Sequence, residues 1–242
     1  MKVLPLATRP ASEPQERRHQ PRQATGGDGW EKYRQCLRWD FGFTCAFCLL
    51  HEADVARAGS EGWGIFTTEH FIPRSQDPSR ANDYTNCYWC CRRCNTSRNA
   101  RPVETAEGRL LDPCRDAWAD AFAIEVFELR PASPDDRNAR RTLDAYDLND
   151  PRKVAARRTR AQAISFAVDL YRRSSAVIGR LSPEGSEFLS NLETALRNQR
   201  EASKQLVAFA AIPEDRVETC QYEARGEFSL PGWLELQCIE HG

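Results

Sequence analysis

The sequence predicts an α+β protein: a small metal-stapled core followed by a mostly helical C-terminal region. Three observations predict it. Two Cys-x-x-Cys pairs bracket residues 45–94, with Glu69-His70, Asn86 and Asn95 set between and just behind them. Short strand-like segments, Gly64-Ile65-Phe66-Thr67-Thr68 and Ala121 to Leu129, lie in the first two-thirds of the chain. Beyond residue 149 the pattern becomes helical, with two strong helix-start signals.

The elements follow in order. Residues 1–29 are rich in Pro, Gln, Arg and Gly and show no periodicity, so a disordered tail is expected there. Trp30, Tyr33, Leu37 and Phe41 have helical spacing and mark the start of order. A core is expected over 30–112, and an extension of one strand and a short helix, near 135–147, over 113–150. Asn149-Asp150-Pro151 combines an N-cap candidate with Pro at the first turn and opens a long helix to about Ile178. Ser182-Pro183-Glu184 opens a second helix to about Ala210, and the two make 151–242 a helical C-terminal region. The stretch from Arg216 carries Trp233 and two cysteines and takes no assignment.

Composition narrows the classes. Hydrophobic residues make up 40 % and charged residues 29 % of the 242, with a net charge of −1, so nucleic-acid binding needs a local basic patch. No apolar run reaches the roughly eighteen residues of a membrane span. No secretory signal core stands at the N-terminus, and a cytoplasmic protein without membrane contact is expected. In a reducing compartment ten cysteines point to metal ligands or free thiols rather than disulfides.

Zinc takes four thiolates in a tetrahedron, and a Cys-x-x-Cys turn presents two of them together. Cys45 and Cys48 form the first pair. The second has two frames, Cys87-x-x-Cys90 and Cys91-x-x-Cys94. His51, close behind Cys48, is a further potential ligand. Arg92, Arg93, Arg98 and Arg101 form a basic cluster around the second pair, a candidate phosphate surface. Tyr84, Tyr88 and Trp89 are interleaved with it and suit either base stacking or packing of the small core. Arg152, Lys153, Arg157, Arg158 and Arg160 open the long helix, where cations oppose the helix dipole. Phosphate, an acidic partner or plain solvent would each account for them.

The phrase Glu69-His70-Phe71-Ile72-Pro73-Arg74-Ser75, then Asn86, then Cys91-x-x-Cys94-Asn95 and Arg98, resembles the HNH endonuclease family. The likeness is to its ββα-metal nucleases whose third letter is Asn, and to standalone bacterial HNH proteins. Weaker likeness extends outward over about 30–155, through Tyr33-Arg34 and Leu37-Arg38, Leu110-Leu111-Asp112-Pro113, Arg141-Thr142-Leu143 and Leu148-Asn149. The resemblance implies that Cys91 and Cys94 are the second pair, because the family places it immediately before the third motif residue. It implies a structural Zn²⁺ on Cys45, Cys48, Cys91 and Cys94, and a catalytic Mg²⁺ or Mn²⁺ on Glu69 and Asn95. His70 would be the general base, its ring oriented by the side chain or backbone of Asn86, and Arg98 would hold a phosphate. The implied activity is endonucleolytic hydrolysis of DNA, with RNA also open, possible service in antiphage defence and an ATPase or sensor protein as partner. Four positions depart from the family's pattern: Glu69 for Asp, Arg98 for Lys, Cys87 for Leu and, in the outer segment, Asp150 for Arg. A zinc-stapled adaptor that binds nucleic acid or protein without catalysis is the alternative.

Overall fold

Strand and helix meet at the second cysteine pair. The computed structural model describes residues 8–10, 13–26, 29–52, 66–180, 188–210 and 234–236. Strand β1 (Thr8–Pro10) pairs antiparallel with the last strand, β8 (Leu234–Leu236). A 3-10 turn at Gly29–Tyr33 runs into helix α1 (Arg34–Asp40), the helical segment that the spacing of Trp30, Tyr33 and Leu37 predicts. Strand β2 (Phe66–His70) pairs antiparallel with β3 (Cys87–Cys91), with Glu69 opposite Tyr88 and His70 opposite Cys87. Helix α2 (Arg92–Arg98) follows β3 without a break and packs back on β2 and β3. The result is a ββα unit in which β2, β3 and α2 converge. The start of the predicted strand at Gly64-Ile65 lies outside the described residues.

After α2 come β4 (Glu104–Thr105) paired with β5 (Gly108–Arg109), the short helix α3 (Trp118–Ala121) and a hairpin of β6 (Phe122–Glu125) and β7 (Glu128–Pro131). The single strand expected over Ala121 to Leu129 is therefore two. The chain reverses at Val126 and Phe127, whose φ values are +50° and +71°. Two consecutive left-handed residues make the tight hairpin turn whose twist suits the strands, and it is usually built from Asn-Gly. An apolar pair gives no such signal.

Helix α4 (Arg137–Tyr146) is capped by Asp136, whose carboxylate accepts from the Ala139 amide at 2.9 Å. Its buried face joins the main core, where Tyr146 stacks on Phe47 with ring centroids 3.9 Å apart. Helix α5 (Pro151–Arg180) starts as expected: Asp150 accepts from the Arg152 amide at 2.8 Å, with Pro151 in the first turn. It packs against α6 (Phe188–Ala210). The predicted start signal at Ser182-Pro183-Glu184 and the stretch from Arg216, apart from β8, lie outside the described residues. Among the described residues no helix is long and apolar enough to cross a membrane.

The expectation of a disordered tail over 1–29 needs correction for residues 13–26, which strap across the core. Gln15 donates to the Asp40 carbonyl at 2.6 Å, and the amides of Arg18 and His19 share the Asp40 carboxylate at 3.0 Å each. The Arg17 guanidinium lies 4.5 Å from the Tyr88 ring centre and donates to the Tyr84 carbonyl at 3.0 Å. Hydrogen bonds and cation–π contact hold this strap, and low hydropathy does not register either.

Candidate metal centre and catalytic constellation

The first cysteine pair sits on a loop tied to β3. The Ala46 amide donates to the Trp89 carbonyl at 2.8 Å and the Cys45 amide to Leu50 at 2.8 Å, and Leu49 closes the turn at φ +69°. Cys91 ends β3 as the N-cap residue of α2, and Cys94 lies in the first turn of that helix. The sulfurs of Cys45, Cys48, Cys91 and Cys94 all lie within 4.8 Å of one another, buried, with Cys48 and Cys91 3.6 Å apart. Four thiolates around zinc at about 2.3 Å stand roughly 3.8 Å apart, so the cluster fits a zinc site. Burial opposes ionisation of Cys45, yet hydrogen bonds from Cys48, Cys90, Cys91 and Cys94 draw its thiol well below the ordinary value.

The frame implied by the resemblance is the one observed. Cys87, opposite His70, is outside the cluster, and burial pushes its thiol up to about 12. Cys90 is buried beside the cluster and donates to the Cys91 carbonyl at 3.4 Å. His51 bridges to Thr44 in the strand-like pairing below the first knuckle and is not one of the four clustered ligands. The aromatics took the packing role: Trp89 is buried with its indole N–H on Glu52 at 2.7 Å, and Tyr88 is buried on Asp112 at 2.5 Å.

Glu69 and His70 close β2. Glu69 is 7 % exposed, and no hydrogen bond reaches its carboxylate among the described residues. Burial pushes this carboxyl up to about 8, against the pull of the Arg98 guanidinium. His70 is also buried, its Nε2 2.8 Å from the carbonyl oxygen of Ala81. A carbonyl only accepts, so Nε2 carries the hydrogen and Nδ1 keeps a bare lone pair. The Trp30 indole meets the imidazole edge-on at 5.3 Å between centroids. Burial, helped by the charge of Arg74 and opposed by the Ala81 carbonyl, holds the imidazole below its ordinary value.

Asn86 was expected to orient the His70 ring through its side chain or its backbone. Its side chain instead clamps the backbone beyond it: Oδ1 accepts from the Ile72 amide at 2.7 Å, and Nδ2 donates to Ile72 at 3.0 Å and Arg80 at 3.2 Å. Its carbonyl accepts from the Phe71 amide at 2.9 Å. The ring itself belongs to Ala81, so the influence of Asn86 on His70 runs through the main chain. Asn95 is half-buried on α2, its side-chain amide without a hydrogen bond among the described residues.

The basic cluster divides. Arg98 is fully buried and donates to Phe71 at 3.0 Å and to the Arg101 carbonyl. It is not a surface phosphate ligand, because β2 and α2 close over it. Arg93 pairs with Asp150 at 3.3 Å, Arg101 donates to the Asp144 carbonyl at 3.3 Å, and Arg92 is exposed on α2. Arg74 was missed as a site residue. It is exposed, stacks over Trp30 at 5.4 Å, and is near enough to His70 for its charge to act on the ring. Its place directly after Pro73 in the Glu69–Ser75 phrase was the available signal. Lys153 and Arg157 on α5 are buried on main-chain carbonyls and do not face solvent or phosphate.

Residues 45–101 match the family model described as HNH endonuclease. No curated protein and no solved structure matches the chain.

Proposed function

We propose that this chain, which carries an HNH endonuclease domain at residues 45–101, is a metal-dependent endonuclease that hydrolyses phosphodiester bonds of DNA. The observation that carries the reading is the His70 imidazole. It ends a strand, is held neutral, and donates from Nε2 to Ala81 so that Nδ1 is an acceptor. A neutral acceptor nitrogen in a buried, polarised setting is what a general base for water requires.

The residues beside it fit a hard divalent cation. Glu69 is a buried carboxyl with no hydrogen-bond donor among the described residues and a raised proton affinity, which a cation would relieve. Asn95 adds an amide oxygen from the neighbouring helix. With these as ligands, Mg²⁺ or Mn²⁺ would supply charge neutralisation at the phosphate and the leaving oxygen. The remaining work falls to the chain itself. His70 Nδ1 takes a proton from the attacking water, while Ala81 fixes the ring. Asn86 holds the 71–72 main chain that sets the end of β2. Arg74, with Arg92 at the rim, offers the exposed guanidinium for a phosphate that buried Arg98 does not.

Relaxation of supercoiled plasmid by the full chain with and without Mg²⁺ or Mn²⁺ tests the proposal, with single-stranded DNA and RNA as parallel substrates. Metal-dependent nicking of DNA that His70→Ala removes supports it. Binding of DNA without cleavage, alike for the wild type and His70→Ala, replaces it with the adaptor reading.

A further inference from the structure

Helix α5 enters the core with two cations that form no salt bridge among the described residues. Lys153 is 1 % exposed and Arg157 5 %. The Lys153 ammonium donates to the carbonyls of Tyr146 at 2.6 Å and Asp147 at 2.9 Å, at the C-terminal end of α4. Arg157 donates from Nε to Phe127 at 2.7 Å and from Nη1 to Leu148 at 3.0 Å and to the Cys48 carbonyl at 3.3 Å. Its Nη2 reaches the Asn149 side-chain oxygen at 3.2 Å. Every one of these acceptors is neutral. Among the described residues the salt bridges of Arg38, Arg80, Arg93, Arg109 and others each engage an acid, and neither Lys153 nor Arg157 is among them.

A buried cation with only neutral acceptors is costly unless an anion lies close by. With zinc bound, the four clustered sulfurs would be the anions. The field on Lys153 comes from Cys94, Cys48, Cys91 and Cys45, and that on Arg157 from Cys48 and Cys94 ahead of Glu128. One zinc dication with four thiolates carries a net charge of about −2. The two cations on α5 are opposite to it in sign and equal in size, and Arg157 touches the knuckle itself through the Cys48 carbonyl.

We propose that Lys153 and Arg157 are the counter-charge of a zinc-loaded Cys45–Cys48–Cys91–Cys94 cluster, so that metal occupancy and the docking of helix α5 onto the nuclease core are coupled. The inference rests on zinc occupying the four-cysteine cluster and is independent of catalysis. Linkage makes the coupling reciprocal: whatever loosens the start of α5 weakens zinc binding, and loss of zinc loosens α5. The C-terminal helical region is thereby tied to the metal clamp rather than appended to it.

Zinc affinity of the full chain, measured by chelator competition under reducing conditions, tests this in the wild type, Lys153→Met, Arg157→Met, Lys153→Arg and Arg157→Lys. Methionine keeps the apolar stem and removes the charge. Each Met variant is expected to bind zinc roughly 10- to 100-fold more weakly, the range for partners lying behind metal ligands. The charge-keeping variants are expected to stay close to the wild type. With Co²⁺ in place of zinc, the thiolate-to-metal charge-transfer band should move to lower energy in the Met variants, because the sulfurs lose a stabilising positive field. Hydrogen exchange on the wild type adds a measurement that needs no variant: stripping zinc should speed exchange of the amides over 151–161. Met variants that hold zinc as tightly as the wild type overturn the proposal. So do charge-keeping variants that lose as much as the Met ones, or α5 amides that exchange alike with and without zinc. A wild-type chain that takes up no zinc overturns the proposal and the zinc reading together.

Discussion

The imidazole Nε2 of His70 lies 2.8 Å from the carbonyl oxygen of Ala81, eleven residues further along the chain. This one contact sets the tautomer and leaves Nδ1 as the acceptor nitrogen. His70→Ala is expected to lower plasmid nicking by about 10²- to 10⁴-fold, the usual contribution of a general base. Zinc content and the thermal unfolding midpoint should stay at wild-type values. A His70→Ala protein that nicks at the wild-type rate would remove His70 from the chemistry.

Asn86 should act on stability and activity together. Asn86→Ala strips three hydrogen bonds from the Ile72 and Arg80 main chain. Each buried group left unpaired costs about 1–3 kcal/mol. Urea denaturation should show a lower midpoint, with Asn86→Asp falling between because it keeps the acceptor for the Ile72 amide. An unchanged midpoint for Asn86→Ala would contradict the clamp.

Arg74 and Arg98 should separate cleanly. Arg74 is exposed, so Arg74→Ala is expected to fold normally and to weaken DNA binding, with the salt slope reduced by about one. Arg98 is buried beside Glu69 and on the Phe71 carbonyl. Leaving the buried Phe71 carbonyl unpaired costs about 1–3 kcal/mol, and the Arg101 carbonyl loses its donor as well, so Arg98→Ala should appear first as lost stability. Denaturation curves and fluorescence anisotropy on labelled DNA, run on both variants, distinguish the roles. The reverse pattern would reassign them.

Acid should loosen the loop that carries Ala81. Burial works against ionisation of Asp83, but the Thr85 hydroxyl and the Arg80 guanidinium outweigh it and hold the carboxyl below its ordinary 3.8. Asp116 is depressed in the same way, with burial overcome by Arg109 and the Asp112 amide. A depressed folded value means that the unfolded chain binds more protons in that interval, so stability rises with pH there. The contribution is fully present above the unfolded value near 3.8 and is lost as pH falls through the folded one. Melting temperatures of the wild type and Asp83→Asn between about pH 5 and pH 2 should converge toward the acid end. A gap that stays constant across that range would rule out the carboxylate as its source.

Spacing and capping motifs were readable because their physics is local. Cys45-x-x-Cys48 and Cys91-x-x-Cys94 each place two sulfurs within a turn, and Asp150-Pro151 caps a helix from its own first residues. The family resemblance carried by the Glu69–Ser75 phrase and by Asn95 behind Cys94 chose between two cysteine frames that spacing alone left open. Charged and polar side chains were less readable, since a long flexible cation reads the same in solvent, on a phosphate or in a core.

The sequence by itself therefore determined the four-cysteine cluster, the ββα unit around it and the long helices, and it singled out His70 as a candidate base. Only the tertiary structure decided where the cations and the Asn86 amide go. Arg98 finds Phe71 from 27 residues away and Arg157 finds Cys48 from 109, and no local pattern encodes a partner at that distance. The same holds for Arg17, drawn from an expected tail onto Tyr88, and for Ala81, whose side chain carries no signal and whose carbonyl orients the His70 ring. Backbone carbonyls belong to every residue alike, so folding alone selects which of them become ligands.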